Sequence, residues 1–122
     1  PHGNEELIID RNSQAMGISP NYVHSMDGAA LMKCVALASV NEIENFQCIH
    51  DAFGTYASDT PKLLECIKQS FIEIYSTNQL EKFRTEILAG IYKEEDRLKI
   101  PPLPNQGDLK IEDIWDSDFF FA

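Results

Sequence analysis

Three places in this chain hold residues whose types suit chemistry. The first is His50-Asp51, between the runs Glu44–Ile49 and Phe53–Ala57. An ionised Asp offers hard oxygen donors. A magnesium ion takes one or two such carboxylates together with phosphate oxygens, held on a stiff frame. A hairpin tip is such a frame, and it presents its side chains to solvent. The competing reading of Asp51 is a turn residue whose carboxylate caps nearby N–H groups. The second place is His24, in Asn21-Tyr22-Val23-His24-Ser25-Met26-Asp27-Gly28. It reads either as a hydrogen-bonded structural histidine or as a catalytic one. The third is the tail Phe119-Phe120-Phe121-Ala122, which packs on its own domain or seals a cleft. No nucleophile elbow, phosphate-cradling glycine loop or H-E-x-x-H is present.

The elements that would position these residues follow from pattern. Residues 1–18 are polar and are expected to be irregular, with Pro1-His2-Gly3 reading as a remnant of a cut or added segment. The unit that follows spans 19–122. Ser19-Pro20-Asn21 predicts a helix start, with Pro20 preset in φ and a capping side chain on either side. Tyr22–Val40 predicts a helix buried on most of its circumference. Glu44–Ile49 and Phe53–Ala57 predict a β-hairpin with His50 and Asp51 at its tip. Asp59-Thr60-Pro61 predicts the start of a helix, with Leu63, Leu64, Ile67, Phe71, Ile74 and Tyr75 at helical spacing. After a break at Ser76-Thr77-Asn78, a second amphipathic helix carries Leu80, Phe83, Ile87 and Ile91. Lys93–Arg97 reads as a solvated helix end. Pro101–Pro104 must be extended, and a short helix is expected over Ile111–Asp116. The fold class is α+β, mainly helical, a β-hairpin flanked by amphipathic helices.

Composition sets limits. Hydrophobic residues make up 43% of the 122, enough for one modest core. No apolar run is long enough for a membrane span, and no signal peptide is visible. The chain opens on Pro1 rather than Met and reads as a processed or cut piece. Cys34, Cys48 and Cys66 are widely spaced and form no C-x-x-C pair, which points to buried free thiols in a reducing cytosol. The net charge is -10, so this chain is not expected to grip nucleic acid alone, because such affinity comes from neutralising phosphates.

Four blocks taken together carry a resemblance. Ser19-Pro20-Asn21-Tyr22-Val23-His24-Ser25 followed by Asp27 resembles the S-P-N-F-V-H-S-x-D block of phage-type single-subunit RNA polymerases, phage and mitochondrial. His50-Asp51-Ala52-Phe53-Gly54-Thr55 resembles their motif C, H-D-S-F-G-T. Ile100-Pro101-Pro102-Leu103-Pro104 with Gly107-Asp108-Leu109 resembles their P-x-L-P-x-x-G-x-L segment. Asp118-Phe119-Phe120-Phe121-Ala122 is similar to their C-terminal D-F-A-F-A. The blocks occur in the family's order, over about Ile9–Ala122.

The resemblance implies the C-terminal palm portion of a DNA-directed RNA polymerase, a nucleotidyltransferase that uses two Mg2+ ions. It makes Asp51 a metal ligand and His50 its neighbour near the RNA 3′ end. His24 falls beside the primer–template minor groove, and Phe121 and Ala122 fall in a tail folded back beside the active site. The implied partners are the DNA template, the RNA product and nucleoside triphosphates, all reached through a full-length parent. No membrane is involved, and the compartment is the cytoplasm, bacterial if the source is a phage or prophage. The fragment alone is expected to be inactive, since the other catalytic aspartate and the nucleotide-binding helix are missing. Three positions depart from the family: Ala52 stands where motif C has Ser or Cys, and Ala29 and Ala30 follow Gly28 where polar residues are usual. A DNA polymerase of the related palm family would have H-D-E, against Ala52. A small acidic interaction module or degenerate prophage remnant is the non-enzymatic alternative.

Overall fold

A computed structural model of the chain describes residues 9–49 and 52–120. In chain order these form α1 (Arg11–Val40), β1 (Phe46–Ile49), β2 (Ala52–Thr55), α2 (Thr60–Tyr75), α3 (Gln79–Ala89), the single turn α4 (Glu94–Arg97) and a 3-10 helix at Ile111–Asp116. The class is α+β and mainly helical, as the pattern implied.

The first helix begins nine residues earlier than Ser19-Pro20-Asn21 suggests, so the expectation of irregular chain up to residue 18 fails from Arg11 onward. The cause is Asp10. Its carboxylate accepts the N–H groups of Asn12 and Ser13 at 3.0 and 3.2 Å and the Ser13 hydroxyl at 2.7 Å. That satisfies donors which a helix start otherwise leaves free. Pro20 therefore lies inside α1, where it removes one backbone bond at a cost of about 3 kcal/mol. Helix continues on both sides of it.

At the other end α1 closes in a Schellman motif. Glu42 N–H donates to Ser39 C=O at 3.2 Å and Ile43 N–H to Ala38 C=O at 3.0 Å. Glu42 holds φ 61°, a conformation more comfortable for glycine. Ile43, thrown back by this turn, is buried beside Ala38. The chain then enters β1 at a defined angle.

The core is a narrow seam. Ala30, Cys34 and Ala38 recur every four residues on α1, and Leu63, Cys66 and Ile67 project from α2. Cys34, Ala38, Ile43, Leu63, Cys66 and Ile67 form one buried cluster, with Phe46, Phe53, Phe71 and Phe120 packed against it. Small α1 side chains allow the two helices to approach closely. The expectation that α1 is buried around most of its circumference is not met. Met32 and Val40 are 72% and 80% exposed, and Val23 and Val35 are also open, because α2 covers α1 along one stripe only.

α2 starts where Asp59-Thr60-Pro61 places it, with Pro61 in its first turn. Asn78 caps α3 by accepting the Glu81 N–H at 3.1 Å. α3 stops at Ala89, short of Ile91, and buries no residue fully. Its tie to α1 is the Tyr22–Phe83 ring pair, 5.0 Å between centroids. The acidic stretch is a separate turn, not the end of a longer helix. Arg97 donates back to the Leu88 and Ile91 carbonyls at 3.1 and 2.9 Å, spending its cation on the open end of α3.

Candidate functional site

β1 and β2 pair antiparallel, with Phe46 opposite Thr55, Gln47 opposite Gly54, Cys48 opposite Phe53 and Ile49 opposite Ala52. The hairpin expected from alternation is present. In sequence only His50 and Asp51 separate the paired residues Ile49 and Ala52, and both lie outside the described residues, as do Phe121 and Ala122. What the structure defines is the frame. Phe46 and Phe53 meet with ring centroids 5.9 Å apart and pack on the core cluster. At the open end the Thr55 hydroxyl donates to the Asn45 carbonyl at 2.7 Å. The strands are thus held on one face by aromatic burial and at the base by a side-chain bond. Gly54 meets no steric demand: an added Cβ would lie in ordinary contact, 3.7 Å from the Gln47 Cβ.

His24 lies on α1 and is exposed. Its whole block, Ser19 to Asp27, is helical. Neighbouring members of the block, Tyr22, Val23, Met26 and Asp27, line one side of a cleft of about 340 Å³, and Tyr75 and Gln79 line the other. Burial, then the Asp27 carboxylate and Tyr22, push the Tyr75 phenol above its ordinary range.

The three alanine departures have different surroundings. Ala30 is buried in the α1–α2 seam, where a larger polar residue would need room and partners. Ala29 and Ala52 are exposed.

The thiols match expectation in part. All three are free; Cys34 and Cys66 are buried, and Cys48 is half-buried. Burial, helped by the neighbouring thiols Cys66 and Cys48, pushes Cys34 up to about 12. It is a core residue rather than a nucleophile.

The tail divides. Phe120 packs edge-on against Phe71, with centroids 5.1 Å apart and planes at 83°. Phe119 is 85% exposed, so packing of the tail on its own domain holds for Phe120 and not for Phe119.

One functional group escaped the pattern reading. Lys68 of α2 is buried, 8% exposed, and its Nζ donates to the Trp115 and Ser117 carbonyls at 3.0 and 2.6 Å. The signal was available: Lys68 lies four residues after Leu64 and three before Phe71, on the apolar face of the helix.

Comparison with known proteins sets these features in a class. The family described as DNA-dependent RNA polymerase matches residues 2–96, and the chain belongs to that family. The DNA-directed RNA polymerase of Enterobacteria phage T3 is 39% identical over 93% of the chain. T7 RNA polymerase of Escherichia phage T7 is 37% identical over 98% of it. A chloroplastic/mitochondrial DNA-directed RNA polymerase of Nicotiana tabacum is 34% identical over 96%. The chain spans only 13%, 14% and 11% of the length of these three relatives. The similarity is to phage-type polymerases of phages and organelles alike.

Proposed function

We propose that this chain is the C-terminal palm portion of a single-subunit RNA polymerase, comprising residues 19–122 with a polar segment before them. Within the complete enzyme it contributes one of two metal-binding aspartates to template-dependent nucleotidyl transfer. The observation that carries this reading is the His50-Asp51 pair, set between strands in register and inside a match to polymerases that covers nearly the whole chain.

The surface supports membership in something larger. The chain exposes 10173 Å², against about 6,600 Å² for a compact monomer of 13.8 kDa. The exposed apolar side chains of α1 are consistent with a seam completed by other parts of the polymerase.

The donor chemistry fits magnesium in part. No group of three or more His, Cys, Asp or Glu residues suited to a metal occurs among the described residues. Asp51 would offer one hard carboxylate, and magnesium commonly takes one or two from protein and the rest from phosphate and water. When bound, the ions supply charge stabilisation for in-line phosphoryl transfer. The chain's own part is to fix Asp51 on a hairpin whose base and inner face are anchored, and to place His50 beside it, near the RNA 3′ end. His24 would lie along the primer–template minor groove, and Phe121 and Ala122 would border the site.

Template, RNA and nucleoside triphosphates would be held by the rest of the polymerase, since the net charge of -10 offers little for phosphates. No helix among the described residues is long and apolar enough to cross a membrane. The proposed compartment is the cytoplasm, that of a bacterial host if the gene belongs to a phage or prophage.

Asp51→Asn in the complete polymerase tests the reading. The substitution keeps the shape and removes the charge that anchors the ions. Single-turnover nucleotide addition is expected to fall by orders of magnitude while DNA binding, which depends on phosphate contacts elsewhere, stays nearly intact. Extension within a few-fold of wild type would make Asp51 a turn residue.

A further inference from the structure

We infer that Lys68 is a positioning residue for the polymerase tail: with Phe71 it forms a two-point clamp on α2 that fixes residues 115–120, the approach to the proposed site residues Phe121 and Ala122. The inference rests on the proposed role of the tail in the active site. Lys68 Nζ bonds the Trp115 and Ser117 carbonyls, and Phe71, three residues on and on the same helix face, holds the Phe120 ring edge-on. Residues 115–120 are thereby gripped at both ends.

The choice of residue supports geometry over stability. Burying an ammonium is costly, and an apolar residue in the same place would pack without that cost. What an apolar residue lacks is the ability to bind backbone. Both acceptors are main-chain carbonyls, so Lys68 sets the path of the tail whatever its side chains are. The 3-10 helix at Ile111–Asp116, which ends between the two acceptors, is held on α2 by the same contact.

The test compares Lys68→Met, Lys68→Arg and a form lacking Phe121 and Ala122, all in the complete polymerase. Hydrogen exchange reads the clamp, and single-nucleotide addition reads the site. Lys68→Met is expected to raise exchange of amides in 111–120 by about 10- to 100-fold, the factor implied by losing charge-assisted bonds. Amides of α2 should keep their protection. The addition rate at saturating nucleotide should fall by about 10- to 100-fold, as misplacement of a positioned group predicts, with little change in KM. Lys68→Arg, which keeps the charge and the donors, should recover both readouts.

Unchanged exchange in Lys68→Met would overturn the clamp. Exchange that rises while addition stays at the wild-type rate would overturn the positioning role, provided that the shortened form is slow. A shortened form as fast as wild type would instead refute the tail's place in the site, and this inference with it. Should Lys68→Met lose α2 protection, Phe71→Leu takes its place: it removes the ring that holds Phe120 while keeping an apolar side chain against the core, and normal exchange at 118–120 together with normal addition would sink the proposal.

Discussion

Leu63→Ala measures the seam that positions everything else. Leu63 is 5% exposed and lies in one cluster with Cys34, Ala38, Ile43, Cys66 and Ile67. Its partners on α1 are small, so they cannot swing into the space left behind. The loss is therefore expected to include both the transfer term and a residual cavity, about 2–5 kcal/mol in all. Domains of this size have about 5–15 kcal/mol in total, and this chain buries less than a compact one, so the loss would remove much of its stability. Met32→Ala removes a comparable side chain from the same pair of helices. At 72% exposure it should shift stability by no more than about 0.5 kcal/mol. Urea unfolding of the chain, followed by far-UV circular dichroism and by its one tryptophan, Trp115, gives both midpoints at fixed slope. Equal losses, or a Leu63→Ala loss below about 1 kcal/mol, would refute the seam as the source of stability. The contrast should narrow in the complete polymerase if its other parts cover Met32.

Three further outcomes are expected. The purified chain alone should make no RNA on a primed template, because on the proposed reading Asp51 supplies one carboxylate of a site that needs two; a magnesium-dependent product would overturn that. A short polar extension after Ala122 should lower the elongation rate of the complete polymerase more than its melting temperature, and equal extension rates would remove Ala122 from the site. Cys34, with its thiol pushed up to about 12, should label far more slowly than Cys48 in the folded chain at mildly alkaline pH. Because the unfolded thiol ionises near 9 while the folded one stays protonated, stability from this group is intact below pH 9 and is lost as pH rises towards 12. A stability curve flat across that window would contradict the burial of Cys34.

Much of the local structure was legible in the chain's own pattern. The Asp59-Thr60-Pro61 start, the Ser76–Asn78 break, the hairpin and the Ile111–Asp116 turn each depend on neighbours a few residues away, and capping, proline geometry and alternation are short-range effects. The family was legible for a different reason: four short blocks in one order carried the resemblance, where a phage T3 relative is 39% identical. Where local signals competed, they misled. Ser19-Pro20-Asn21 is a good helix start, yet Asp10 supplied an earlier one, and Pro20 was carried inside the helix.

Burial was decided only by the tertiary structure. Ala30, Met32, Cys34 and Val35 all lie in the helix expected to be buried on most of its circumference, but which of them is covered depends on the one stripe that α2 lies along. Lys68 is the same case reversed. A lysine on an apolar helix face reads as a solvent-seeking charge until the distant carbonyls of Trp115 and Ser117, 47 and 49 residues later, arrive to receive it. Sequence determines which groups are available and how each short segment bends. Which of them meet is set by long-range packing, because contact across the fold depends on how the helices and strands dock rather than on spacing along the chain.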